Sequence, residues 1–228
     1  MNKVSCITVT KNRVPLLKKC IEFFLNQTHQ DKELIIVYYN TDLETKEYLE
    51  RNSQYLLDNN IFFHMFIEDT GLFLGAIRNY AIMKATGDWL CVWDDDDYYS
   101  ENRIQEQLTF CLDNDVKAST LQSILIYSDK KQEVRLSFER TEGWEGSLFI
   151  KRDIMPRYKN LKTGEDTPVL LKLMEDRVLE TLFSPDLYIY IFHDNNTSST
   201  RHKESLLDNS YELSIRKTRE IIQKLDWL

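Results

Sequence analysis

Paired cysteines are absent from this chain. Cys6, Cys20, Cys91 and Cys111 stand far apart in apolar, periodic surroundings, and no Cys-x-x-Cys occurs. Neither a zinc site nor a disulfide framework is indicated, and buried free thiols are expected. Long apolar runs are absent too: none reaches the roughly 18 residues that mark a membrane-crossing helix. The opening residues lack the apolar stretch of a secretory signal and read as a first strand. The expected location is therefore the cytoplasm, its membrane face included. Positive charge is in deficit, with a formal net charge of −8, which removes the broad basic footprint of a nucleic-acid binder. Repeats, low-complexity tracts and linkers are lacking as well, so the 228 residues are read as one domain.

What is present is concentrated in one stretch. Trp89-Leu-Cys-Val-Trp93, an apolar run of strand length, ends in four consecutive carboxylates, Asp94 to Asp97. Two such charges a residue apart repel by roughly 3 kcal/mol at an effective dielectric near 20. A strand end beside a core needs compensation for that. A divalent cation is the simplest, because hard cations prefer carboxylate oxygens. Alternation along a strand would turn Asp94 and Asp96 toward one ligand, and Asp95 and Asp97 elsewhere. The competing reading is a solvated acidic loop, or a helix start capped by Asp97 or Ser100.

Around this stretch strands alternate with helices. Val4 to Thr10, Glu33 to Tyr39, Ile61 to Ile67 and Trp89 to Trp93 read as strands. Helices are expected from a cap at Asn12 to Leu25, from Leu43 to Leu57, and from Ala76 to Ala85 with Gly87 as terminator. This alternation implies an α/β fold with parallel strands and right-handed crossovers. Then the pattern changes. A helix over Glu101 to Leu112 precedes strands over Ala118 to Tyr127 and Glu133 to Phe138. A loop from Gly143 runs into a strand ending at Ile150, and a helix from Gly164 reaches Met174. Leu187 to Phe192 reads as a last strand, followed by a polar loop, His193 to His202, and a charged helix, Glu204 to Leu225. Residues 1–100 thus form a nucleotide-type half, 101–202 a mixed half and 203–228 a C-terminal helix. In an open α/β sheet, ligands bind beyond the carboxyl ends of the strands. Thr10 to Arg13, Tyr38 to Thr41, Glu68 to Gly71 and Asp94 to Asp97 should therefore meet at one edge.

Several short pieces occur in a telling order. They are Thr10-Lys-Asn-Arg13 after the first strand, Gln27-Thr28 closing the first helix, Glu33-Leu-Ile-Ile-Val37, Gly75-Ala-Ile-Arg-Asn79, and Gly87-Asp88 ahead of Asp94 to Asp97. Gly146 to Phe149 with Lys151-Arg152, and Glu165-Asp166 opening a helix, follow. Together, over about Val4 to Asn196, they resemble the family 2 inverting glycosyltransferases of the GT-A fold. The resemblance implies a GT-A architecture, a nucleotide-sugar donor, a glycan or lipid-linked acceptor, and Mn2+ or Mg2+ as cofactor, in polysaccharide or glycoconjugate assembly. By it, Asp96 binds the cation that bridges the donor diphosphate. Asp94 contacts the ribose or shares the ion, and Arg78 approaches the diphosphate. Thr10, Asn12, Arg13 and Asp95 line the donor cleft. Asp166 is the catalytic base, with Glu165 beside it, and His193 matches a further metal ligand of some relatives.

Direct displacement at an anomeric carbon requires this division of labour. A carboxylate takes the acceptor's proton, and a cation neutralises the departing diphosphate, on opposite faces of the sugar. One departure stands out. Relatives often carry Asp-Asp after the second strand, one of which recognises uracil; here Tyr38-Tyr39 stands there. Only one of the two can face the cleft, and Tyr39 is the candidate to stack on a base. A UDP-sugar, the family's usual donor, then shares the field with GDP- and dTDP-sugars.

Each residue also has a plainer reading. Arg78 can pair on a helix surface, His193 can be a loop histidine, and Asp166 can be a first-turn acid favoured by the helix dipole. Trp144 can be a buried aromatic rather than a sugar platform. The tail helix, with Lys203, Arg216, Lys217, Arg219 and Lys224, can pack on the domain, touch a membrane peripherally or form a homodimer contact. Two other functions use the same frame. A sugar nucleotidyltransferase normally has a Gly-rich basic signature after its first strand, and Thr10-Lys-Asn-Arg-Val14 has no glycine. A silent nucleotide- or carbohydrate-binding module would tolerate loss of Asp166.

Overall fold

A computed structural model describes residues 2–68, 71–193 and 205–225. Four parallel strands, β1 (Val4–Thr10), β2 (Lys32–Tyr39), β3 (Ile61–Phe66) and β4 (Trp89–Val92), form the centre in the order β4-β1-β2-β3. After β5 (Tyr98–Tyr99) come β6 (Ala118–Leu121), β7 (Leu125–Ser128), β8 (Glu133–Ser137), β9 (Phe149–Lys151), β10 (Leu179–Leu182), β11 (Tyr188–Phe192) and β12 (Ser210–Glu212). β9 runs antiparallel between β4 and β6, and β10 extends the sheet beyond β6, giving seven strands in all. A second, five-stranded sheet has the order β12-β8-β7-β11-β5.

Helices cover both faces of the large sheet. They are α1 (Val14–Leu25), α2 (Leu43–Arg51), α3 (Ser53–Asp58), α4 (Leu74–Lys84), α5 (Arg103–Asp113) and α6 (Thr167–Glu175). The near-continuous apolar run of β2 is explained by this. Leu34, Ile36 and Tyr38 join one core with α1, α2, α3 and α5. Ile35 and Val37 join the other with α4 and α6. Period-two alternation splits the strand between two buried faces. A last helix, α7 (Ile215–Ile222), lays Ile221 on the small sheet. All four cysteines are free and buried, as expected. Among the described residues no helix is long and apolar enough to cross a membrane.

The structure corrects several boundaries. Asn12 does not cap α1: Arg13 holds the cap position, and Asn12 sits at φ +55°. The helix expected over Leu43 to Leu57 breaks at Asn52 into α2 and α3. Gly87 does not terminate α4, which ends in extended backbone at Ala85. It is glycine because a Cβ there would meet the Lys3 carbonyl at 2.7 Å. The strand expected over Ala118 to Tyr127 is two strands in different sheets. Ser137 draws the chain across, accepting from Ser123 Oγ at 2.6 Å through its carbonyl and from the Ile124 N–H at 2.9 Å through its hydroxyl. The C-terminal helix expected from residue 203 is a short helical segment over 205–208, then β12, then α7 capped by Ser214. Leu187 to Phe192 is therefore not the last strand. Most of the expected polar loop lies outside the described residues.

Candidate active site

The strand ends meet at one edge, as the topology demands. β4 stops at Val92, and Asp94 to Asp97 lie in the segment that follows. Once the carboxylates have left the strand, alternation no longer sorts them. Asp94 turns to Arg78, Asp95 and Asp96 share Arg13, and Asp97 turns inward. The expected convergence of Asp94 with Asp96, away from Asp95, is corrected accordingly.

Arg78 ties the acid run to the second half of the chain. A Cβ on Gly75 would lie 1.9 Å from the Lys159 carbonyl oxygen and 3.2 Å from Glu165 Cβ, so only glycine lets α4 approach that loop. Nearly one turn on, Arg78 Nη2 donates to Asp94 Oδ1 at 3.0 Å, and Nε donates to Glu165 Oε1 at 3.1 Å. Its side chain is 11% exposed, so it does not pair on a helix surface. Burial works against its charge, but Asp94, Tyr158 and Glu165 outweigh that and hold its pKa well above the usual value. Burial raises the Glu165 carboxyl, and Arg78 offsets only part of the rise. Asp166, at the cap of α6, accepts from the Thr167 N–H at 2.9 Å. Its pKa is raised too, by burial first, with Arg78 pulling back and Glu145 adding repulsion. A carboxylate raised in this way is a stronger base than free aspartate.

On the other flank, Arg13 Nη1 reaches Asp95 Oδ1 at 3.1 Å and Asp96 Oδ2 at 2.9 Å. His193 Nε2, just past β11, lies 3.3 Å from the same Asp96 oxygen. Thr10 and Asp95 are buried, and among the described residues neither Thr10 Oγ1 nor Asp95 Oδ2 has a partner at hydrogen-bond geometry. Burial, then Asp96, push the Asp95 carboxyl up to about 7 against the pull of Arg13. The donor set suits a divalent cation: an imidazole nitrogen faces carboxylate oxygens, and a buried carboxylate oxygen is left over. Among the described residues no three His, Cys, Asp or Glu side chains make an all-protein cage. A cation held by one or two carboxylates and completed by substrate phosphates needs none. Asp96 and His193 would hold it, beside the Arg13 guanidinium.

The support beneath the run was not foreseen from the sequence. Asp97, 1% exposed, accepts from the Tyr188 hydroxyl and from the Ile191 N–H. Burial first, then Asp96 and Asp94, push its pKa well up; its role is structural. The Asp94 N–H donates to the Tyr99 hydroxyl at 2.7 Å. Under both tyrosines lies Arg103, fully buried, its guanidinium carbon 4.5 Å from the Tyr99 ring centroid and 5.4 Å from that of Tyr188. It donates to the Gly146 carbonyl at 3.2 Å. The one sequence signal was an arginine shortly after Tyr98-Tyr99. Trp144 is buried with Arg140 over its ring at 4.9 Å, so the plainer reading of that tryptophan holds.

At the far end of the edge, Tyr38 is buried against Phe63, while Tyr39 is half-buried with Lys11 Nζ 4.6 Å above its ring. Asp42 organises the first loop: it accepts from the Asn12 N–H at 2.5 Å and caps α2 through the Thr45 N–H at 3.0 Å. Glu68, after β3, binds Lys11 Nζ at 2.5 Å and the Thr41 hydroxyl at 2.6 Å.

Comparison with known proteins fits this geometry. The model of glycosyl transferase family 2 matches residues 5–173. An uncharacterized glycosyltransferase of Rickettsia bellii is 32% identical over 224 residues, covering 89% of this chain and 31% of its own length. One from Haemophilus influenzae is 30% identical over 114 residues, half of this chain and 44% of that protein. The chain thus spans about a third to under half of these relatives. Among solved structures, residues 1–349 of TarS from S. aureus superpose with a TM-score of 0.68 at 17% identity, covering 90% of this chain and 69% of that 1–349 chain. The mannosyltransferase PcManGT of Pyrobaculum calidifontis, in complex with GDP-Man and Mn2+, gives 0.66 at 15%, covering 91% and 62%. TarS has also been seen with UDP-GlcNAc. The fold is that of GT-A glycosyltransferases, and the chain belongs to glycosyl transferase family 2.

Proposed function

We propose that this glycosyltransferase is a metal-dependent, inverting enzyme. It moves a sugar from a nucleotide-sugar donor to a hydroxyl of a glycan or lipid-linked acceptor, in glycoconjugate or polysaccharide assembly. The observation that carries the reading is Arg78, which gathers the Asp94 end of the acid run and the Glu165-Asp166 pair into one site. Inversion needs a base on one side of the sugar and a stabilised leaving group on the other. Asp166 is the base: burial makes it the more avid proton acceptor, and it accepts the proton of the acceptor hydroxyl as that oxygen attacks. Asp96 and His193 hold the cation, which when bound neutralises negative charge on the departing diphosphate. Thr10, Asn12, Arg13, Asp94 and Asp95 line the donor side, and Tyr39 is the surface for the base. Arg78 holds Asp94 and Glu165 in place through one hydrogen bond to each, so the two ends of the site stay in register.

The test separates binding from chemistry. Asp166→Asn is expected to retain Mn2+-dependent donor binding and to lose transfer. Asp96→Ala is expected to lose the Mn2+-dependent part of binding. Transfer at the wild-type rate in Asp166→Asn would remove the base assignment. Donor binding by Asp96→Ala with full Mn2+ dependence would remove the metal assignment.

A further inference from the structure

We propose that Glu68 and Lys11 read the nucleobase of the donor, and that the base they select is guanine. The inference rests on the donor site proposed above and adds its specificity. The acid that might have served after β2 is taken: Asp42 is fully buried and engaged by the Asn12 and Thr45 N–H groups. A carboxylate arrives instead from β3. Glu68 is held on both oxygens, Oε1 by Lys11 Nζ at 2.5 Å and Oε2 by the Thr41 hydroxyl at 2.6 Å. Its own N–H donates to Asn40 Oδ1 at 2.7 Å, so backbone and side chain are both anchored. The carboxylate is 38% exposed, open at the edge where the strand ends meet. The hydrogen bonds from Lys11, then Thr41, hold its pKa below the usual value, so near neutral pH it is acceptor-only.

The spacing suits a nucleotide. In the order β4-β1-β2-β3, Tyr39 and Glu68 end strands two and three places from the acid run. At about 4.8 Å per strand that is roughly 10 to 14 Å, within reach of a nucleoside joined to its diphosphate. Lys11 now lies over the Tyr39 ring; when it moves aside to the edge of the base, the ring offers the stacking face. Base chemistry then decides. Each Glu68 oxygen spends one lone pair on Lys11 or Thr41 and has a second to offer, and such a carboxylate edge is matched by two adjacent donors in one plane. Guanine presents them, N1–H and the 2-amino group, with O6 next to them for the Lys11 ammonium. Uracil and thymine present a single N–H between two carbonyls, which repel the second carboxylate oxygen. Adenine and cytosine present an amino group beside a ring nitrogen that is itself an acceptor.

The test is calorimetric titration of the full chain with GDP, UDP, ADP, CDP and dTDP, each with MnCl2, repeated on Glu68→Gln. GDP is expected to bind about tenfold or more tightly than UDP, the discrimination of one good bidentate pair. Glu68→Gln is expected to weaken GDP to near the UDP value and leave UDP unchanged, with the unliganded melting temperature unmoved. UDP binding as tightly as GDP, or a GDP preference that survives Glu68→Gln, overturns this inference and leaves the donor site standing. No binding of any diphosphate overturns the donor site itself, and this inference with it.

Discussion

Replacing Arg78 with methionine isolates the charge that joins the two halves of the site. Methionine keeps most of the side chain's apolar length but removes both ion pairs, to Asp94 at 3.0 Å and Glu165 at 3.1 Å. Glu165, 3% exposed, then lies buried without its cation. Breaking a buried pair from one side costs about 3 to 5 kcal/mol. For a chain of this size that is a fall of about 6 to 20 °C in melting temperature. The stranded carboxyl can escape by taking a proton, at about 1.4 kcal/mol per pH unit. Burial already raises the Glu165 pKa, and loss of Arg78 raises it further. The folded variant then binds a proton more readily than the unfolded chain, so its stability rises as pH falls through the folded pKa toward 4.5. The full deficit is expected at pH 8 and a smaller one at pH 5, read by thermal unfolding of both proteins at both pH values. Adding Glu165→Gln should restore stability at pH 8 but not transfer. A variant within about 1 kcal/mol of wild type at pH 8, or a deficit independent of pH, would refute the reasoning.

Other outcomes follow from particular contacts. Gly75→Ala puts a methyl group 1.9 Å from the Lys159 carbonyl oxygen; it should displace α4 from the 159–165 loop and lower kcat more than it raises donor Kd. Asp95→Asn tests the carboxyl held at about 7. Its folded pKa lies above its unfolded one, so unliganded stability should fall as pH rises from about 4 to about 7. Urea midpoints should show that slope in the wild type and a flatter one in the variant. Glu33→Gln disturbs a buried carboxylate bound by Ser5, Lys3 and Thr86. Burial raises its pKa, but these partners outweigh that and the net shift is downward. Its stabilisation is thus present above about 4.5 and lost as pH falls. About 2 to 4 kcal/mol should disappear at pH 7, with little change at pH 3, measured by denaturant unfolding.

Local rules carried the α/β core. In β2 the side chains alternate between two buried faces, so composition and length together identified the strand. They failed where partners are distant in sequence. Ser210 to Glu212 lie in a stretch with helical spacing, yet pair with the exposed edge of β8; an open ladder outweighed periodicity there. The same holds at the site. The acids were legible as a run, because four adjacent carboxylates cannot go uncompensated. Which cation meets which acid was not, since Arg13 and Arg78 reach them from other elements and no local spacing sets that match. Arg103 was hidden for a related reason: its partners are three aromatic rings, the Gly146 carbonyl and the Gln107 amide, none of which carries a charge to signal a pair.

β9 carries one more implication. By lying between β4 and β6 it stitches the early and late parts of the polypeptide into a single hydrogen-bonded slab, on which α6 rides. Rocking one part against the other would tear a ladder rather than bend a hinge. On the proposed assignment, the gap between Asp166 and the Asp96 end of the acid run is thus inherited from the scaffold.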